Sequence, residues 1–132
     1  MPPWRDGPYA RHVSLVRPCP CGSGAAYDAC CGPLHRGTAL ASTPEQLMRS
    51  RFSAYALGEL DHVFRTWHPR TRPDDVTPTP GLTWTRLEVL EASGDEVEFR
   101  AHHESSAGPG VLHERGLFEQ RGGRWVYVSA VH

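Results

Sequence analysis

All four cysteines of this 132-residue chain fall within thirteen consecutive positions, where together they could bind a metal ion. They are Cys19, Cys21, Cys30 and Cys31. Four thiolates form the donor set that closes a tetrahedral shell around Zn²⁺. A glycine- and serine-rich turn at 22–24 separates the two pairs, and such a turn can direct backbone N–H groups toward the sulfurs. The pattern therefore predicts a zinc-binding loop.

Three other interpretations of these cysteines compete with zinc. Disulfides are disfavoured because neighbouring cysteines bridge poorly within each pair, and crossed pairs would close only a small loop. Independent buried thiols would be scattered along the chain rather than collected in one stretch. An iron–sulfur cluster also uses four cysteines, but the C-x-C-x8-C-C spacing found here differs from the ferredoxin patterns.

Length and charge restrict the class of protein. A chain of 132 residues has room for one ordinary core and a small appendage, and not for two full domains. Its formal net charge of −1 provides no basic field for a nucleic acid or an anionic membrane. No apolar run reaches the roughly 20 residues of a membrane span, and no signal peptide is evident. We expect a cytoplasmic protein without a membrane partner, whose thiols stay reduced.

The chain divides into an arm, a loop and a larger domain. Residues 1–17 contain three prolines and no helical or strand period, which predicts a flexible arm. The zinc-binding loop occupies 18–33, and we expect Gly32 and Pro33 to end its last local element.

Residues 34–42 are predicted to form a linker before the larger domain. His35 lies in this linker, close enough to the cysteines to be considered as a substitute ligand. We interpret it as a bystander, because four cysteines already fill a tetrahedral shell.

Two helices are predicted after the linker. Thr43 can cap the first, with Pro44 at its first position and Gln46 completing a capping box. Apolar residues then recur at steps of three and four until Gly58, which predicts one buried helix face. A second helix is predicted over 60–67. It should bury four residues, namely Leu60, Val63, Phe64 and Trp67.

The hydrophobic period changes to two after an irregular, proline-rich segment at 69–81. Strands are predicted over four ranges, namely 82–92, 96–104, 111–121 and 124–131. Residues 93–95 and 122–123 supply turns. Two helices followed by four consecutive strands predict an α+β domain, in which the helices pack on one face of an antiparallel sheet.

The cysteine-rich stretch resembles a known zinc module, the SEC-C motif. Cys-Pro-Cys-Gly-Ser-Gly at 19–24, followed by Tyr27 and the Cys-Cys pair, matches the spacing and the glycine-serine filler of that motif. The motif is found at the end of the SecA translocation motor and is attached to many other bacterial proteins. The resemblance implies that the four cysteines are zinc ligands. Ala25 and Ala26 stand where the motif usually carries a basic residue.

The rest of the chain resembles the YchJ-like family of bacterial proteins. The matching stretches are 44–55, Thr66-Trp67-His68-Pro69, Leu112-His113-Glu114-Arg115 and Gly123-Arg124-Trp125. The resemblance implies a SEC-C motif followed, over 43–132, by a domain similar to nuclear transport factor 2. That fold is a cone, with helices packed on a curved antiparallel sheet, and ketosteroid isomerases and scytalone dehydratases share it. The resemblance implies no particular reaction.

A cone of this kind encloses a pocket between its helices and the concave face of the sheet, and such pockets are default ligand sites. Six residues are candidates for its lining, namely Tyr55, Trp67, His68, Trp84, His103 and Glu114. His68 or His103, oriented by Glu114, could act as a general acid or base on a flat apolar substrate. The alternative is that the aromatic residues form plain core and that His68 only ends a helix.

Two arginines of the first predicted helix should make different contacts, because they lie about 200° apart around its axis. Arg49 is expected to face the zinc-binding loop. Arg51 is expected to enter the domain and pair with Glu114 or another carboxylate.

These features predict a zinc-binding protein that docks on a protein partner through the loop. The bound metal would hold the surface of the loop rigid, which the few residues of the loop could not do by themselves. The alternative is an enzyme of isomerase, dehydratase or hydrolase type that uses the pocket, and whether the protein is an enzyme stays open. A small ligand in the pocket and a homodimer formed through an exposed sheet face are further expectations. The slight acidity argues against a nucleic-acid partner.

Overall fold

The computed structural model describes residues 17–131 of the chain. The predicted arm at 1–17 lies outside them except for Arg17, and so does the last residue of the predicted 43–132 domain. The described part contains a 3₁₀ turn at Tyr27–Ala29, three helices and four strands. No helix within it is both long and apolar enough to cross a membrane.

The first helix, α1 (Cys31–Arg36), begins inside the cysteine loop. The sequence predicted that Gly32 and Pro33 would end a local element here, and that prediction is wrong. Pro33 falls in the first helical turn, where a backbone N–H would have no intrahelical partner in any case. The helix continues through the beginning of the predicted linker and ends at Gly37.

The second helix, α2 (Pro44–Leu57), confirms the clearest helical prediction. Thr43 caps it, and its side-chain oxygen accepts a hydrogen bond from the Gln46 backbone N–H at 3.1 Å. Gln46 Oε1 accepts from the backbone N–H of Ser42 at 2.7 Å. The expected capping box therefore forms with Ser42, the residue before the cap, in place of the Thr43 N–H. Gly58 ends the helix with a φ of +79°, a left-handed conformation that glycine adopts without strain.

The third helix, α3 (Leu60–Arg65), is shorter than the predicted 60–67 and buries a different face. Val63 is buried as predicted, whereas Phe64 is 41 % exposed. The guanidinium of Arg72 covers the Phe64 ring at 3.7 Å from its centroid. His62 is buried instead, at 3 % exposure, because it points toward α2.

The four strands form one antiparallel sheet in the order β1-β2-β3-β4. They are β1 (Thr83–Ser93), β2 (Glu96–Ser105), β3 (Gly108–Arg121) and β4 (Arg124–Ala130). The connection between the predicted strands at 96–104 and 111–121 shortens to a two-residue turn, because Ser105 pairs directly with Gly108. This arrangement of helices and sheet confirms the predicted α+β layout.

The core of the domain lies where α2 packs on one face of the sheet. Its buried members are Leu47, Met48, Phe52, Leu87, Val97, Phe99, Ala101 and Phe118. Beyond α3, the chain joins the far edge of the sheet, where Trp67 forms a parallel bridge with Tyr127. The N–H of His68 then donates to the Tyr127 carbonyl at 2.8 Å. This pairing takes the chain out of the helix after Arg65 and holds the end of α3 against β4.

Candidate functional site

The four cysteine sulfurs converge on one point of the loop. They all lie within 4.8 Å of one another, and Cys30 Sγ lies 3.6 Å from Cys21 Sγ and 4.0 Å from Cys31 Sγ. A tetrahedral site with metal–sulfur bonds of about 2.3 Å has sulfur–sulfur edges of about 3.8 Å. Cys19, Cys21 and Cys31 are buried and Cys30 is half-buried. The donor type and the spacing therefore fit a metal ion held by four thiolates.

Backbone hydrogen bonds place the two cysteine pairs against each other. Tyr27 N donates to Arg17 O at 2.8 Å and Cys19 N donates to Ala25 O at 3.0 Å, which makes a small hairpin. Gly22 N donates to Cys19 O at 3.2 Å and turns the first pair inward. The second pair stands at the start of α1, and the bent backbone there lets both adjacent thiols face the same point, which an extended strand would not allow.

Gly32 is buried in α1 because the helix packs tightly on the 3₁₀ turn. A Cβ at this position would lie 2.9 Å from the carbonyl oxygen of Tyr27 and 3.2 Å from its ring. We expect Gly32→Ala to lower the free energy of unfolding by about 1–3 kcal/mol, because the backbone oxygen cannot move aside without shifting the loop. Urea denaturation measures this loss. A variant as stable as the wild type would contradict the tight contact.

Two polar side chains lie close to the cysteines, where a donor can offset part of the negative charge that four thiolates bring to a divalent ion. Arg49 Nη1 donates to the carbonyl oxygen of Cys21 at 2.8 Å, and its Nε donates to Glu45 at 3.0 Å. The Ser23 hydroxyl lies 3.1 Å from Cys30 Sγ. The prediction that Arg49 faces the loop is therefore confirmed.

The thiols differ in how readily they ionise. A hydrogen bond from Cys31 lowers the pKa of the Cys21 thiol, although burial opposes this effect. The same hydrogen bond raises the pKa of Cys31, and burial raises the pKa of Cys30. Among Cys21, Cys30 and Cys31, Cys21 is therefore the thiol whose pKa is lowered.

His35 lies outside the sulfur cluster and joins the loop to the larger domain. Its Nε2 lies 2.8 Å from the backbone carbonyl oxygen of Ser50 in α2. Because a carbonyl can only accept, Nε2 carries the proton and Nδ1 is free to accept. Nδ1 lies 2.6 Å from the Tyr27 hydroxyl, which therefore donates to it. A neutral His35 thus bridges the cysteine loop and α2 with both nitrogens satisfied.

A second site is a cavity of about 340 Å³ between α2 and the concave face of the sheet. This volume lies in the range of small-molecule sites. Residues of α2, of the strands and of the segment at 73–82 line the cavity. Most of the lining side chains are apolar or aromatic, and they include Met48, Phe52, Trp84, Phe99, Ala101 and Leu112.

Four of the six candidate lining residues are in the lining, namely Tyr55, Trp67, Trp84 and Glu114. His68 and His103 are not. His68 is 7 % exposed, and its Nε2 lies 3.3 Å from a carboxylate oxygen of Glu119. His103 packs edge-on against Trp84 at 5.1 Å between ring centroids. Neither histidine therefore shares the cavity with Glu114.

Arg51 lines the cavity and is only 4 % exposed. Its Nη1 donates to the Val63 carbonyl at 3.1 Å and to Thr66 Oγ1 at 2.9 Å. Burial lowers the pKa of Arg51, and the negative charge of Glu114, which lies beyond ion-pair distance, acts in the opposite direction. Within residues 17–131, the predicted direct ion pair of Arg51 with a carboxylate is not formed.

Tyr127 is a lining residue that the sequence analysis did not assign to the cavity. Its hydroxyl donates to Glu114 Oε2 at 2.7 Å, and burial, together with that hydrogen bond, raises its pKa. The i, i+4 spacing of Arg51 and Tyr55 on α2 was a usable signal that both face the same space. Tyr127 carried no such signal, because its position depends on the bridge to Trp67.

The fold and the cysteine site define a class of protein in which a SEC-C motif precedes a domain like nuclear transport factor 2. Residues 18–33 match the SEC-C motif. Residues 43–130, more than half of the chain, match the family described as "YchJ, middle NTF2-like domain". The chain belongs to this YchJ-like family, as its sequence motifs predicted.

Relatives of the chain are similar along most of their length. A UPF0225 protein from Deinococcus radiodurans is 51 % identical over 115 residues, which cover 86 % of this chain and 88 % of the relative. Another from Streptomyces coelicolor is 46 % identical over 119 residues, covering 85 % and 93 %. These names state no activity.

Two solved structures share the fold. The solution structure of a SEC-C motif containing protein from Rhodopseudomonas palustris has a TM-score of 0.74 and 36 % identity, and the match covers 86 % of this chain and 96 % of that one. The crystal structure of a SEC-C motif containing protein from Psychrobacter arcticus has a TM-score of 0.68 at 24 % identity, covering 84 % and 80 %. The second likeness concerns the fold alone.

Proposed function

We propose that the metal of the cysteine loop is zinc and that its role is structural. Four sulfur donors in a tetrahedral arrangement favour Zn²⁺ over ions that prefer oxygen ligands. A shell closed by four protein ligands leaves no position for a reacting water, so the site stabilises the loop rather than performing catalysis. Reduced thiols bound to a metal suit a reducing compartment, and we therefore place the protein in the cytoplasm.

The function that we propose for the larger domain is to bind a flat, largely apolar small molecule in its cavity. One observation carries this proposal, namely an aromatic-lined space of about 340 Å³ that contains only a few polar groups. Binding is favoured over catalysis because His68 and His103, the titratable candidates of the enzyme alternative, lie outside the lining. An isomerase, dehydratase or hydrolase would have to use Glu114 or a tyrosine as its general acid or base instead of a histidine.

Titration with the neutral dye N-phenyl-1-naphthylamine tests the cavity proposal. We expect dye fluorescence to saturate at one dye per chain in the wild type. Ala101 is buried and lines the cavity, so Ala101→Phe should fill part of the space and weaken binding at least tenfold. Ala107→Phe, on the exposed turn between β2 and β3, is the matched control and should bind like the wild type. Equal affinity in the two variants would contradict the proposal.

A protein partner for the cysteine loop is a second proposed function. Residues 22–24 are exposed directly beside buried sulfurs, so a bound metal would hold this tip as a rigid surface. Asp28, whose side chain is 84 % exposed, stands on the 3₁₀ turn of the same loop. We expect Asp28→Arg to lose a partner that wild-type protein captures from a lysate, while Asp61→Arg on α3 keeps it. Recovery of the same proteins by both variants would count against this surface.

A further inference from the structure

The cavity contains unpaired donors and an unpaired acceptor. Within residues 17–131, Arg51 forms hydrogen bonds only through Nη1, and Glu114 accepts only through Oε2. Arg51 Nε and Nη2, Tyr55 Oη and Glu114 Oε1 therefore have no partner in this part of the chain. None of them is among its fully enclosed unpaired atoms. All three residues line the cavity, so these free groups are the ones that a ligand bound there could satisfy.

The charged groups belong to one compact cluster. The Arg51 guanidinium lies 4.9 Å from the centroid of the Trp67 ring and 4.8 Å from that of Tyr127. Tyr127 in turn binds Glu114 through its hydroxyl at 2.7 Å. A single small molecule can therefore meet the positive and the negative group at the same time.

We propose that the ligand is a neutral, flat heteroaromatic molecule with a carbonyl group next to a ring N–H. Its carbonyl accepts from Arg51, its N–H donates to Glu114, and its ring packs against Trp84 and Phe52. This inference rests on the proposed binding function of the cavity and adds the chemical class of the ligand.

The charge balance of the cavity selects this class. A second carboxylate of the lining, Asp75, is exposed to solvent and already accepts from the Thr77 N–H at 2.8 Å. The buried part of the cavity therefore holds Arg51 and Glu114 as its opposite charges, and a ligand carboxylate would place two negative charges beside one positive charge in a poorly solvated space. A purely apolar ligand would displace water from the N–H groups of Arg51 and leave them unpaired. A neutral carbonyl and N–H pair satisfies both charged groups and adds no net charge.

Calorimetric titration of the full metal-loaded chain with three probes of similar size tests the inference. The probes are 2-quinolone, with the carbonyl and N–H, 2-naphthoate, with a carboxylate, and naphthalene, with no polar group. We expect 2-quinolone to bind at least tenfold more tightly than either of the others. An equal or tighter affinity for 2-naphthoate or naphthalene overturns the inference while leaving the binding function intact. Failure of all three probes to bind overturns the binding function and the inference together.

A conservative variant gives a sharper test. Glu114→Gln keeps an oxygen for the Tyr127 hydroxyl but removes the negative charge. We expect 2-naphthoate to gain affinity and 2-quinolone to lose it, so that their affinity ratio falls at least tenfold. Glu119→Gln, outside the cavity lining, is the matched control and should leave the ratio unchanged. An unchanged ratio in Glu114→Gln overturns the inference.

Discussion

Cys30→Ser is expected to abolish metal binding and to destabilise the whole protein. Serine supplies no thiolate, so the four-sulfur shell cannot close. The binding free energy of a structural metal is also folding free energy, and the loop is anchored to α2 through His35 and Arg49. We expect metal content to fall from one ion per chain to almost none. Stability should fall by about 3 kcal/mol or more, which lowers Tm by roughly 10 °C.

Cys30→His is the matched control for this loss. Cys30 is the half-buried member of the cluster, so the larger side chain has room there, and histidine is also a good zinc ligand. We expect this variant to retain most of the metal and most of the Tm. Elemental analysis and thermal denaturation measure both quantities. A serine variant with one ion per chain and an unchanged Tm would show that Cys30 is not a ligand.

The stability of the protein is expected to fall steeply in mild acid because of His62. Burial lowers the pKa of His62 from 6.5 to about 3, and the positive charge of Arg65 adds to the effect. As pH falls below about 6.5, the unfolded chain takes up a proton that the folded chain does not accept until about pH 3. The contribution of His62 is therefore complete above pH 6.5 and is lost toward pH 3. By pH 4 the loss is about 3 kcal/mol.

His62→Leu separates this effect from the acid release of a metal. The leucine variant cannot take up the proton, whereas protonation of the cysteines affects both proteins equally. Ser50 Oγ, which pairs with His62 Nε2 at 2.9 Å, keeps its hydrogen bond to the Leu47 carbonyl at 2.7 Å. We expect urea denaturation from pH 7 to pH 4 to show a smaller loss of stability in the variant. Parallel pH profiles would contradict the account of His62.

The sequence predicted those features that depend on neighbouring residues. The cysteine cluster and the limits of α2 were of this kind, because ligand spacing, the Thr43 cap and the Gly58 terminus are local signals. The strands could also be predicted from the sequence, since their alternating pattern reflects one buried face. Arg49 and Arg51 were separated correctly, because their positions around a helix follow from its geometry.

Features that depend on tertiary packing could not be predicted in this way. Gly32 and Pro33 suggest a helix end, but here they begin a helix, because α1 packs on the 3₁₀ turn too closely for a larger side chain. His62 replaces Phe64 in the core because its Nε2 can donate to Ser50 Oγ in α2, whose own hydrogen goes to the Leu47 carbonyl. His103 lies outside the cavity lining because its ring packs on Trp84 and against Gly110.

X-ray absorption at the zinc K edge, on protein purified without added metal, tests the central claim that four thiolates enclose a zinc ion. The arrangement of Cys19, Cys21, Cys30 and Cys31 predicts one zinc per chain with four sulfur neighbours at about 2.3 Å. Protein without zinc, or a spectrum with nitrogen or oxygen neighbours at about 2.0–2.1 Å, would contradict the closed four-thiolate site.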